Sequence, residues 1–276
     1  MISVAGKSLV IMFPLLLPTW QERPFIPEDF DWGPRPVYVE TSALQFQSQG
    51  MKHVKSRTQA RMLAQLGKSQ NNEAVPLLLT NLQNFNDPAL QSTALKSLKN
   101  FADSEKIEAD VIKSFLDSES KSVRREAVSL LGKIKGVSPD FLLDVALTDT
   151  QGSVKAAVLQ ALLETIQPPN RIDYSQLDNL RQSENRKVRF LAWALSCHTA
   201  DVVNHKSRMT SVCKDGELAA RQAIAEQLPA LPENLANQLS AILLKDTDSY
   251  VRATLAEKIS DTKIADKQSP LKKLAK

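Results

Sequence analysis

The chain has 276 residues, of which 42% are hydrophobic, only 5% aromatic and just 8 glycine. Such a composition argues against β-sandwiches and Gly-rich nucleotide folds, and the length suits one elongated array or two domains. A net charge of +4 is too mild to imply nucleic acid by itself, and two cysteines cannot build a disulfide framework.

Residues 1–20 hold a single charge, Lys7, and an apolar run from Ser8 to Leu17 broken once by Pro14. This pattern predicts a signal-type segment, too short for a comfortable membrane span. It places the mature chain in the periplasm or outside the cell. The alternatives are an uncleaved anchor, the one expected route to a membrane, or a cytoplasmic stretch packed on the rest. No A-x-A cleavage pattern follows; Pro18, Thr19 and Trp20 stand there instead. Residues 21–50 place Pro24, Pro27, Pro34 and Pro36 among Phe25, Phe30 and Trp32. So dense a run of prolines forbids a helix. It predicts an extended spacer, either flexible or with its aromatics laid on the first structural unit.

From about residue 51 to 262 the chain repeats itself. In SKSVRREAVSLLGKI (120–134), Val123, Ala127, Leu130 and Leu131 share one helical face, with Ser120 placed to cap. With Val123 as position zero, the equivalents are Ser56, Leu90, Val154, Val188, Ala220 and Val251. They recur every 31 to 34 residues, by subtraction of those numbers. Position +4 is always small or apolar (Ala60, Ala94, Ala127, Val158, Ala192, Ile224, Leu255). Position +8 is too, except at Ser196, where Leu195 stands beside it. A period of this length predicts an array of two-helix units. Its first unit shows only a second helix, about 53–67. First helices are expected at 73–84, 107–116, 139–146, 174–182, 202–213 and 233–245. Residues 263–276, with five lysines against one Asp, read as a solvated basic tail.

The turn that opens each second helix, as in DPALQSTALKSL, SKSVRREAVSLL, NRKVRFLAWAL and DSYVRATLAEKI, resembles the HEAT repeat in the short form of phycobilin-lyase-type HEAT proteins. The resemblance covers about three quarters of the chain. It implies an all-α, right-handed solenoid of about six to seven hairpins, with second helices lining a concave face. It is unspecific for function.

Position +1 is basic in six of seven units: Arg57, Arg124, Lys155, Arg189, Arg221 and Arg252, with Gln91 the exception. The ladder is expected to be structural, each cation meeting a turn acid or carbonyl; a phosphate-binding stripe is the other reading. Positions +2, +3 and +6 should face the groove. Most are polar, but Ala157, Gln160, Phe190, Leu191 and Ala194 form a less polar stretch, expected to be the partner-binding patch unless this helix is buried on more sides. Trp193 aligns with Leu95, Val128 and Leu159 and is expected in the core.

Cys197, His198, His205 and Cys213 are ligand types, but the intervening helix should carry the two sulfurs roughly 15 Å apart, so neither metal nor disulfide is expected. There is no G-x-G-x-x-G, Walker loop, G-x-S-x-G or H-E-x-x-H, so no catalytic residue and no cofactor is assigned. The sequence therefore points to a non-catalytic scaffold for a protein or peptide. The resemblance leaves an accessory enzyme of the lyase type as the alternative. Nucleic-acid binding rests on mild basicity alone and is not expected.

Overall fold

The repeated apolar positions are where the core forms. From the second unit onward every residue at positions zero, +4 and +8 is buried, Leu90, Ala94 and Leu98 first and Val251, Leu255 and Ile259 last. The computed structural model describes residues 55–165 and 172–259, all within the unit Pro36–Lys276; the N-terminal apolar segment expected to direct export, the spacer and the basic tail lie outside the described residues.

Thirteen α-helices are described, with no strand among the described residues. The second helices are α1 (Ser56–Lys68), α3 (Pro88–Leu98), α5 (Lys121–Leu131), α7 (Gly152–Thr165), α9 (Arg186–Ser196), α11 (Leu218–Glu226) and α13 (Ser249–Ile259). The first helices are α2 (Ala74–Asn84), α4 (Ala109–Lys113), α6 (Pro139–Thr148), α8 (Asp178–Arg181), α10 (Lys206–Asp215) and α12 (Glu233–Leu243). Each second helix packs on the second helix before and after it, giving one continuous layer. The first helices lie mainly against their own partners, and only α10 and α12 pack extensively on each other. Stacking thus supplies the core that no hairpin could make alone.

Three first helices are shorter than their apolar pattern predicts. The turn Ser114–Asp117 after α4, Tyr174–Leu177 before α8 and Val202–His205 before α10 are 3-10 rather than α. The turns are set by capping. Asp87, Ser138 and Asn185 accept from the backbone N–H groups of Ala89, Asp140 and Lys187. Ser120 stands at the N-cap of α5, but its hydroxyl pairs with that of Ser122 at 2.9 Å instead of capping.

Close approach in the second-helix layer depends on missing side chains. A Cβ on Gly132 would lie 2.4 Å from that of Ala161, and one on Gly67 2.7 Å from that of Ser97. The interior divides into two clusters. The first runs from Leu63 to Leu195 and is aliphatic apart from Phe101. The second runs from Tyr174 to Ile259. Helix α9 belongs to both, giving Val188, Leu191, Ala192 and Leu195 to the first and Trp193 and Ala194 to the second.

Candidate protein-binding groove

Because the second helices stack in register, equal positions in successive units line up. The groove-facing positions of two neighbouring units meet at one cleft of about 390 Å³, between α5, α7 and the start of α9. Arg125, Glu126 and Ser129 supply positions +2, +3 and +6 of the third unit; Ala156, Ala157 and Gln160 supply those of the fourth. Ala156 and Ala161 are buried and form an apolar floor. Lys99, Glu164, Asn185 and Lys187 complete the rim. Glu126 is held from both sides, by Arg125 at 3.0 Å and Lys99 at 3.7 Å, and Gln160 donates to Glu164 at 3.1 Å.

The structure redraws the apolar patch. Ala157 and Gln160 line the cleft. Leu191 and Ala194, expected to face a partner, are core residues, 3% and 0% exposed. Phe190 is half-buried against both clusters and does not line the cleft. The cause is the place of α9 between the two clusters: Leu191 packs into the first and Ala194 into the second, so the helix is enclosed on both flanks. The rim residues Lys99, Glu164 and Lys187 escaped the sequence reading because they come from helix ends at positions +9, +10 and −1. Their one signal is that such ends project beside the neighbouring unit.

The basic ladder follows one geometry wherever its partners are described. Arg124, Arg189 and Arg252 each give Nη1 to two carbonyls of their own turn: Ser118 and Glu119, Ser183 and Glu184, Asp246 and Thr247. Arg221 does so to Gly216. Three of these four also reach forward to the next unit with Nε. Arg124 meets Asp149, Arg189 meets Glu217 and Arg221 meets Asp246, each at 2.7 Å. Asp149 keeps the Arg124 guanidinium charged, the hydrogen bond outweighing burial to raise its pKa. Gln91 retains the backward half, donating to Phe85 O at 2.7 Å. Where Gln91 and Lys155 replace Arg, the next unit offers Ser118 and Ser183 where Arg124 and Arg221 find Asp149 and Asp246. Clefts of about 640 and 430 Å³ flank the Arg124–Asp149 and Arg221–Asp246 rungs.

In the fifth unit the core turns polar. Arg181 is only 4% exposed. It donates to Ser196 Oγ at 2.6 Å, Tyr174 O at 2.9 Å and Asp178 Oδ1 at 2.5 Å. Ser196, the one break in the +8 pattern, is thus a partner of a buried arginine; Leu195 does not take its place but is buried separately in the first cluster. The guanidinium lies 3.8 Å from the Tyr174 ring centre and 5.0 Å from that of Trp193. His205 stacks on the other aromatic partner, Tyr174, at 4.1 Å and pairs with Asp201 at 3.0 Å. Burial pushes the Tyr174 phenol up to about 12 against the lowering charge of Arg181. Burial would raise the Asp178 carboxyl, but Arg181 and Arg208 more than offset it and hold it below the usual range.

The four zinc-ligand types take separate roles. His198 pairs with Gln227 at 2.9 Å and His205 with Asp201, while Cys197 and Cys213 are free and buried. Both cysteines belong to the second cluster. Among the described residues no three His, Cys, Asp or Glu side chains converge on a metal-sized site. None of the described helices is long and apolar enough to cross a membrane.

This arrangement is that of a helical-repeat protein, and the comparisons agree. Residues 86–163, from the turn before α3 through α7, match the family model for HEAT repeats. Among solved structures, YibA of E. coli is similar at 16% identity, over 86% of this chain and 82% of its own, with a TM-score of 0.56; the two share a fold. The complex of CpcE and CpcF of phycocyanin lyase from Nostoc sp. PCC7120 is similar at 13% identity, over 91% of this chain and 100% of its own, with a TM-score of 0.46. An engineered protein is similar at 18% identity, over 84% of this chain and 96% of its own, with a TM-score of 0.40. No curated protein matches the sequence.

Proposed function

We propose that the chain is a non-catalytic scaffold that holds an extended protein segment in the α5–α7–α9 groove. The observation that carries this reading is the convergence of equivalent positions from neighbouring units on one cleft with an alanine floor and a polar rim. Such a cleft suits a peptide: a small apolar side chain rests on Ala156, Ala157 and Ala161, while Ser129, Gln160 and Asn185 bond its backbone. HEAT arrays present extended surfaces of this kind to protein partners, which supports the assignment.

The test is selection from a random peptide library displayed on phage, using the full chain. Enriched peptides should bind at least ten-fold more weakly to Ala157→Arg, which projects a long cation into the cleft from a half-buried position, with Tm unchanged. Peptides that bind both proteins equally would place the site elsewhere and remove the groove from the proposal.

A further inference from the structure

Charge is divided between the two helix layers. The seven second helices carry fourteen Lys and Arg against four acids, Glu126, Glu164, Glu226 and Glu257. The six first helices carry five basic residues against six acidic ones. Three of the fourteen, Arg124, Arg189 and Arg221, are neutralised by the ladder acids, and Arg125 and Lys258 pair with the adjacent Glu126 and Glu257. Others, among them Arg61, Lys96 and Lys187, stand exposed on the layer that bears the groove. At the cleft, Lys99, Arg125 and Lys187 come from units two, three and five and surround the alanine floor.

Resting on the groove reading above, we infer that the segment held there is acidic: an extended polypeptide rich in Asp and Glu with small apolar residues between them. The three cations outnumber the two glutamates of the cleft, and this positive surplus favours a ligand that brings carboxylates. The two glutamates in the wall decide between an acidic polypeptide and a nucleic acid. A peptide backbone brings N–H donors that Glu126 and Glu164 can accept, alongside carboxylates for Arg125 and Lys187. A phosphodiester chain has no backbone donor, so both glutamates repel it. Nor does any aromatic ring line the cleft for a base to stack on. Arginine forks onto carboxylates, and Arg125 is half-exposed and placed to do so once its contact with Glu126 is shared.

The test is fluorescence anisotropy with the full chain and three labelled probes: a twelve-residue peptide alternating Glu with Ala and Val, its Gln counterpart, and a twelve-nucleotide oligothymidylate. The acidic peptide should bind at least ten-fold more tightly than either other probe. Its affinity should fall with added salt and fall at least ten-fold in Arg125→Glu/Lys187→Glu, with Tm unchanged. Equal binding of the Glu and Gln peptides, both lost in Ala157→Arg, would overturn the acidic preference and leave the groove reading intact. Tighter binding of the oligonucleotide would overturn both. Acidic-peptide affinity unchanged in the double variant would move the anionic site off the groove, and binding of no probe would end the acidic inference while the library selection still judges the scaffold.

Discussion

Units two to four and unit five are built on the same period, yet they fill their interiors in opposite ways. Around α5, Val123, Ala127, Leu130 and Leu131 meet other aliphatic side chains, and nothing charged enters. Around α9 the core admits an arginine, held by Asp178, Ser196 and a carbonyl and sandwiched against Tyr174 and Trp193. The first helix of unit five is only one turn of 3-10 and one of α, so it cannot offer a full apolar stripe. The cluster of rings and hydrogen bonds occupies that room. A solenoid tolerates this because each unit needs only to fit its neighbours.

The difference should be visible under mutation. Arg181→Ala leaves Ser196 Oγ, the Tyr174 carbonyl and two aromatic faces without their partner, although Asp178 keeps Arg208, and the loss of packing and buried hydrogen bonds should cost about 4 kcal/mol. Leu131→Ala, a simple cavity, should cost about 3 kcal/mol. Urea titration gives both values. In a chain whose Trp20 and Trp32 are replaced by Phe, only Arg181→Ala should shift the fluorescence of Trp193. A similar response from Leu131→Ala would mean the two interiors act as one. Gly132→Ala, which drives a methyl onto Ala161, should cost about 2 kcal/mol although it adds apolar surface.

Acid should separate the regions more gently. Asp178 and Asp201 both titrate below their ordinary value in the fold. For Asp201, burial would raise its pKa, but the Tyr174 N–H and the His205 hydrogen bond more than offset this. Groups depressed in this way add stability that is complete above the unfolded carboxylate pKa, about 3.9, and is lost as pH falls through the lower folded values. Local opening measured by hydrogen exchange at pH 3 should therefore rise around α8 to α10 before it rises around α5. Asp178→Asn should flatten that dependence. The smallest effect concerns the thiols. Burial pushes Cys213 up to about 12 and Cys197 higher still, so at pH 8 neither should react with a disulfide reagent until the second cluster unfolds. Rapid labelling of the native chain would show that this cluster opens on its own.

The sequence made the period legible because positions zero, +4 and +8 see the same environment in every unit. The ladder was readable for the same reason. What it hid depends on distances between units. Leu191 occupies position +3, where Glu126 and Ala157 face the cleft, yet it packs into the first cluster while Ala194 of the same helix enters the second. Arg181 lies in a first helix, where no repeated pattern announces a buried charge, and its partner Ser196 looked like a blemish in the +8 column. The cleft itself combines a position near zero from one unit with late positions from the unit before. No single helix pattern contains that combination.

The forward rungs also have a consequence for synthesis. Arg124, Arg189 and Arg221 find their carboxylates 25, 28 and 25 residues later. A newly made unit thus leaves the ribosome with its guanidinium anchored to its own turn but still lacking its acid, until most of another hairpin has followed. Assembly from the N-terminal side would then advance like a zip whose last tooth is always open, each hairpin receiving the hand extended by the one translated before it.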